Sequence, residues 1–282
     1  MEAKKMAKEK KVVSVDPIEL NDPDVLTILQ IIKNTVVRLK DKTAIILWSS
    51  FLLLVLWGAE GDLKIFHHLL GKNWTNFLPN VAWKEQLATF VMGFILLVII
   101  PCCIIKFGFK EKLSEYGLGW PKNRLNLGVL TFFVTLAVGL PVFWLGTKNP
   151  EMAAEYPLFG QAITTWGEFI VYEMVYLLFF ITIEFIFRGY LLFGLYKIKD
   201  TEAIQGVKGI KGPLVFGVYA ILIQMLSYTM WHISKPTPEL MGTIVWGVAL
   251  GAVAIKIRSI WPIIAVHWIL NVFVDLLLWN IP

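Results

Sequence analysis

Seven long apolar stretches, separated by short polar connectors, set the pattern of this chain: residues 43–59, 86–107, 125–146, 168–196, 213–232, 240–257 and 261–279. A helix crossing the hydrocarbon core needs about 20 mostly apolar residues. Several stretches just suffice, and 168–196 is over-long. The pattern predicts an all-α fold, a polytopic transmembrane helical bundle of about seven spans, or eight if the fourth stretch hides a further element. Residues 150–165 read as a segment able to dip into the interface without crossing. Asn, Gly and Pro mark the connectors, and the chain shows no internal repeat and no low-complexity segment. Residues 43–282 therefore read as one membrane domain.

Residues 1–42 differ in kind. They are polar and Lys-rich, unlike a cleavable signal peptide, whose apolar core lies near the start. Within them Val25, Leu26, Ile28, Leu29, Ile31, Ile32, Val36, Val37 and Leu39 alternate with Lys33, Arg38 and Lys40. That is the pattern of an amphipathic helix lying on the membrane surface.

Composition fits the pattern. Of 282 residues 57% are hydrophobic and 17% charged, with mean hydropathy +0.66, outside the range of soluble domains. The net charge of +5 implies no nucleic-acid partner, because the basic residues gather in connectors. Residues 1–42 hold nine Lys and Arg, and the connectors after spans two, four and six hold eleven more. The opposite connectors hold five. This asymmetry predicts a cytoplasmic N-terminus and a C-terminus on the other side, in a multi-pass protein of a prokaryotic cell membrane. Cys102 and Cys103 are adjacent in an apolar run; they have no metal-binding spacing and read as lipid-facing or packing residues.

Against this background, polar residues spaced by four stand out on three helices. The fourth stretch carries Glu184 and Arg188, with Glu173 three turns earlier. The fifth carries Gln224, Tyr228 and His232, and the seventh His267, Asn271 and Asp275. Residues four apart share a helix face, and ionisable groups within a membrane survive when paired or facing a wet cavity. His67 and His68, the remaining histidines, read as surface residues of a polar connector. The chemistry suits water activation. A carboxylate shielded from bulk water can serve as a general base, histidines can share the proton or stabilise an oxyanion, and an asparagine amide can donate to one. Glu184, His232 and His267 equally form a set able to hold a divalent metal. A proton-coupled transporter would also place Glu, His and Arg inside the membrane, although such carriers usually show repeated halves.

The three helices resemble the CPBP family of intramembrane proteases, also called the CAAX-protease or Abi family. Its motifs are a Glu-Glu-x-x-x-Arg helix, a Phe-x-x-x-His helix and a His-x-x-x-Asn/Ala helix, in that order. Here they read Ile183-Glu184-Phe185-Ile186-Phe187-Arg188, Tyr228-Thr229-Met230-Trp231-His232 and His267-Trp268-Ile269-Leu270-Asn271. Leu113-Ser114-Glu115-Tyr116-Gly117-Leu118 resembles the loop that leads into the family core, so the family-like region runs from about residue 113 to 282. The resemblance implies an endopeptidase that hydrolyses peptide bonds of a membrane-embedded protein or peptide within the lipid bilayer. Glu184 would activate the water, with Arg188 beside it and His232, His267 and Asn271 as base partner and oxyanion donors. No cofactor is expected, and a divalent metal is the open alternative. One position departs from the pattern: Ile183 stands where the family has its first glutamate. Either one glutamate suffices here, or the chain is a non-catalytic scaffold or immunity factor.

Overall fold

The computed structural model describes residues 27–58, 61–121, 124–196, 199–200, 214–215 and 217–279. Residues 1–26 of the N-terminal segment lie outside them, including Val25 and Leu26, as do the connector lysines Lys122, Lys197, Lys208 and Lys211.

The chain forms two units. The smaller comprises Met1–Lys40 and Lys199–Val215. Its described part holds helix α1, Ile28–Arg38, and a two-residue antiparallel bridge between Lys199–Asp200 and Leu214–Val215. Thr27 and Gln30 close a reciprocal capping box, each side chain accepting from the other's backbone N–H at 3.3 and 2.8 Å. This satisfies two donors that a helix start otherwise leaves open. Ile28, Leu29 and Ile32, on its apolar face, are exposed.

The larger unit, Asp41–Ile198 with Phe216–Pro282, is helical throughout its regular elements. These are α2 (Lys42–Trp57), α3 (Lys64–Leu70), α4 (Lys84–Gly108), α5 (Leu125–Gly146), α6 (Pro150–Glu155), α7 (Trp166–Tyr196), α8 (Val218–Trp231), α9 (Thr237–Ile257) and α10 (Trp261–Leu278). Among the described residues five helices, α4, α5, α7, α9 and α10, are long and apolar enough to cross a membrane. At the other two expected spans α2 has 16 residues and α8 has 14, both short of the length a bilayer asks.

Helix α7 sits at the centre, packed against α4, α8 and α10. Trp166, Ile170, Val171 and Met174 in its first turns are exposed, whereas from Val175 onward its apolar residues are buried or half-buried against protein. Phe90 of α4 and Tyr172, Tyr176, Phe179 and Phe180 of α7 interlock as a run of ring contacts with centroids 4.6–5.9 Å apart. Helix α5 behaves oppositely. Leu130, Phe133 and Val134 are exposed, as suits a helix with lipid around it.

Small residues and polar ties set the spacing. Gln224 of α8 donates to the carbonyl of Gly247 on α9 at 2.6 Å. A Cβ on Gly247 would lie 2.8 Å from the Met225 side chain, so glycine permits this close approach. Gly117 closes the 113–118 loop at φ 80, a conformation that favours glycine. Its carbonyl accepts from Ile260 N at 3.0 Å, tying the loop to the start of α10. Trp268 of α10 donates to the backbone carbonyl of Glu173 on α7 at 2.9 Å. The Trp268 tie fixes α10 against α7, and the Gln224 tie fixes α8 against α9.

Candidate active site

The site begins on α7. Its backbone is α-helical to Glu184 and then widens into i→i+5 turns over Phe185–Phe193, a form that recurs at functional positions. Glu184 and Arg188 are fully buried, and Arg188 Nη1 donates to Glu184 Oε1 at 2.9 Å. His267 Nδ1, from α10, meets the same oxygen at 2.8 Å. The guanidinium also lies 4.2 Å from the centroid of the Tyr228 ring of α8. A lone buried carboxylate is costly; here a cation, an imidazole N–H and a ring face surround the pair. With the carboxylate accepting, Nδ1 of His267 carries a proton and donates it.

His232 caps the C-terminus of α8. Its Nδ1 lies 2.7 Å from the Tyr228 carbonyl. A carbonyl can only accept, so Nδ1 is the protonated nitrogen, and in the neutral ring Nε2 carries the lone pair. That Nε2 is 3.7 Å from Oε1 of Glu239. Glu239 Oε2 in turn accepts from the Tyr156 hydroxyl at 2.8 Å. Burial and the adjacent Glu239 carboxylate hold the Tyr156 phenol well above its ordinary pKa, so it keeps its proton and donates. Lys235 pairs with Glu155 at 2.6 Å, pinning the turn after His232 to the end of α6. Asn271 gives one amide N–H to the His267 carbonyl at 2.9 Å.

Two cavities meet here. One, of about 210 Å³, is lined by Ile183, His232, His267, Asn271, Glu239 and Tyr156, among others. The second, about 150 Å³ and mostly apolar, is lined by Phe143 of α5, Trp246 and Leu250 of α9, and Val266 and Leu270 of α10. Tyr156, Glu239, His267 and Asn271 line both. Arg188 borders the apolar cavity, whereas Glu184 borders neither.

In straight spans His232, closing the fifth stretch at its outer end, and His267, six residues past Trp261 at the inner end of the seventh, would sit at different depths, yet both line one cavity. The reason is the interruption between α8 and α9. Helix α8 stops at Trp231, a turn carries residues 232–235, and Pro236 stands as the N-cap of α9 with Pro238 in its first turn. Proline is accepted at such positions because the first helical N–H groups have no partner anyway. His232, Lys235 and Glu239 of this segment line the cavity.

The polar stripes divide on inspection. Gln224 is a tie between α8 and α9, and Tyr228 shields Arg188. Asp275, fully buried, lies beside Glu173 rather than at the cavities. His67 and His68 belong to α3, where His67 accepts from Trp74 Nε1 at 3.3 Å. The sequence reading did not pick out Tyr156 or Glu239. Both sit in polar connector surroundings where a Glu or Tyr is unremarked, and their meeting spans 83 positions. Thr237-Pro238-Glu239 does carry the signature of a helix start, the one local cue that Glu239 opens a new element. Among the described residues no group of three or more His, Cys, Asp or Glu is placed to hold a metal ion; Glu184, His232 and His267 form no such group.

No curated protein and no solved structure matches the chain. A family model does, and its segment opens with α7, spans α8 and α9, and ends within α10, so that it contains all three motifs and both histidines. Residues 165–273 match the family described as Type II CAAX prenyl endopeptidase Rce1-like, in agreement with the CPBP/CAAX-protease resemblance that the motifs carry.

Proposed function

We propose that this integral membrane protein is an endopeptidase that hydrolyses a peptide bond of a membrane-associated protein or peptide within the helix bundle. One observation carries the reading. Glu184 is joined to Arg188 and His267 through a single oxygen, while His267, His232 and Asn271, from two further helices, line one cavity. A structural ion pair would need no imidazole at a cavity wall.

The roles follow from the geometry. His232 Nε2, with its lone pair, holds the nucleophilic water by accepting a hydrogen bond. Glu184 is buried behind His267 and reaches no cavity, so it acts through that imidazole: its negative charge supports a proton on His267 Nε2. This N–H and the second amide N–H of Asn271 then meet the oxyanion formed at the scissile carbonyl. The water-activating role that the sequence reading gave to Glu184 passes in this proposal to groups on the cavity wall. The apolar cavity beside them suits a hydrophobic part of the substrate.

The experiment is cleavage by purified protein in proteoliposomes. Peptides ending in a cysteine, with and without an isoprenyl group on the sulfur, are incubated and the new termini read by mass spectrometry. Cleavage at one bond supports the reading; intact peptides in both sets, with folded protein, would move the assignment to a scaffold. Chelator added to the same assay should leave the rate unchanged, because Glu184 borders neither cavity and, among the described residues, no three His, Cys, Asp or Glu are grouped to hold a metal ion. Loss of activity that zinc restores would instead place a metal in the mechanism.

A further inference from the structure

We propose that Glu239 is the catalytic carboxylate of this site, supplied by α9 in place of the glutamate that Ile183 replaces on α7. The inference rests on the endopeptidase reading and completes it, since that reading names no group to take the proton of the water.

Three observations lead there. Ile183 lines the larger cavity together with both histidines and Asn271, so the position where the family carries its first glutamate faces the site and bears no proton acceptor. Glu184, one residue on, points elsewhere: successive helix positions diverge by about 100°, and its side chain reaches neither cavity. Glu239 fills the chemical gap. It lines both cavities, with its side chain 20% exposed, and Oε1 stands 3.7 Å from His232 Nε2. That is too long for a strong direct hydrogen bond, and it is a separation that one water oxygen can bridge at about 2.8 Å from each atom. Oε2 is held by the Tyr156 hydroxyl at 2.8 Å. The carboxylate is thus fixed in direction by a neutral donor, with its other oxygen toward the water position. Local sequence explains its reach: the Pro236 N-cap and Pro238 start α9 at the cavity edge, so Glu239 projects from the first helical turn.

The step balances without further reactants. The water oxygen forms a bond to the scissile carbonyl carbon, its proton passes to Glu239, and the carbonyl π pair moves onto oxygen. When that pair returns, the C–N bond breaks and the proton on Glu239 goes to the leaving nitrogen. One water is consumed, an acid and an amine leave, and Glu239 is again a carboxylate.

The test uses the full-length protein in proteoliposomes and the peptide cleaved by the wild type. Glu239→Gln keeps the acceptor for Tyr156 but cannot take a proton as the carboxylate does. It should lower kcat by about 100-fold or more with little change in KM. Ile183→Glu in the Glu239→Gln background returns a carboxylate to the same cavity and should recover a large part of the rate. Recovery of this kind cannot come from a merely structural role of Glu239, and it keeps the test open should Glu239→Gln be less stable. Near wild-type kcat in Glu239→Gln would overturn the proposal while leaving the endopeptidase reading intact. So would a loss in Glu239→Gln that Ile183→Glu does not relieve, if the double variant is folded. A wild-type protein that cleaves no peptide of the panel would overturn the endopeptidase reading, and this proposal with it.

Discussion

His267→Ala should lower kcat by about 100-fold or more in the proteoliposome assay while leaving the protein folded. The ring makes one side-chain hydrogen bond, to Glu184, and is partly exposed at the cavity wall. Its loss leaves the Arg188–Glu184 pair in place, so no buried charge is orphaned. What disappears is the positioned imidazole N–H aimed at the oxyanion, and a single such donor contributes about 100- to 1,000-fold. Glu184→Gln should fall by a comparable factor, because the imidazole then lacks the negative partner that supports its proton. The two losses should not add. A double variant no slower than the slower single variant means the residues act as one unit; multiplied losses would mean that Glu184 meets the substrate or water separately. Glu173→Gln, changed at a carboxylate away from both cavities, should keep activity.

The largest expected effect on stability is at Arg188. Arg188→Met keeps an apolar chain of similar length but leaves the Glu184 carboxylate fully buried without its cation. Breaking a buried pair from one side costs about 3–5 kcal/mol, enough to remove much of the stability of an ordinary domain. The double variant Glu184→Gln/Arg188→Met removes both charges and should recover most of the loss, since apolar or neutral replacements of a whole buried pair are often tolerated. Thermal unfolding in detergent, read as a double-mutant cycle, gives the coupling. Equal stability in Arg188→Met and wild type would show that the charge is neutralised in another way.

Much of the site was legible because ionisable residues are rare in apolar runs. Glu184, Arg188, His232, His267 and Asn271 announce themselves against Phe, Leu and Ile, and the structure brings all five into one region. Glu239 does not announce itself: it stands among Lys235, Pro236 and Pro238, where a glutamate is ordinary, and becomes significant only when Tyr156 and His232 approach it. Asp275 shows the opposite error. Its i+4 spacing from Asn271 suggests a shared face, but its carboxyl lies against Glu173, one turn past the cavity. The all-helical class was readable from the apolar pattern, whereas span number was not. The 213–232 stretch is apolar almost throughout, yet its helix runs only from Val218 to Trp231 and a turn follows at His232–Lys235. Trp231 and Trp279, which sit near span ends in the sequence, are buried and donate to the Gly58 and Ile163 carbonyls, a packing role that hydropathy cannot reveal.

The two short helices meet at one end, where Trp57 of α2 and Trp231 of α8 stack with ring centroids 5.1 Å apart. At about 1.5 Å per residue they measure roughly 24 and 21 Å, against about 30 Å of hydrocarbon. A bilayer meeting that edge must become thinner or admit water, at a cost of fractions of a kcal/mol per Å, and the edge adjoins His232. Acyl-chain length is therefore expected to change the rate of the proposed cleavage. Cleavage in short-chain phosphatidylcholine vesicles should outpace cleavage in long-chain ones at equal substrate density, and equal rates across the series would show that the host lipid does not feel the short edge.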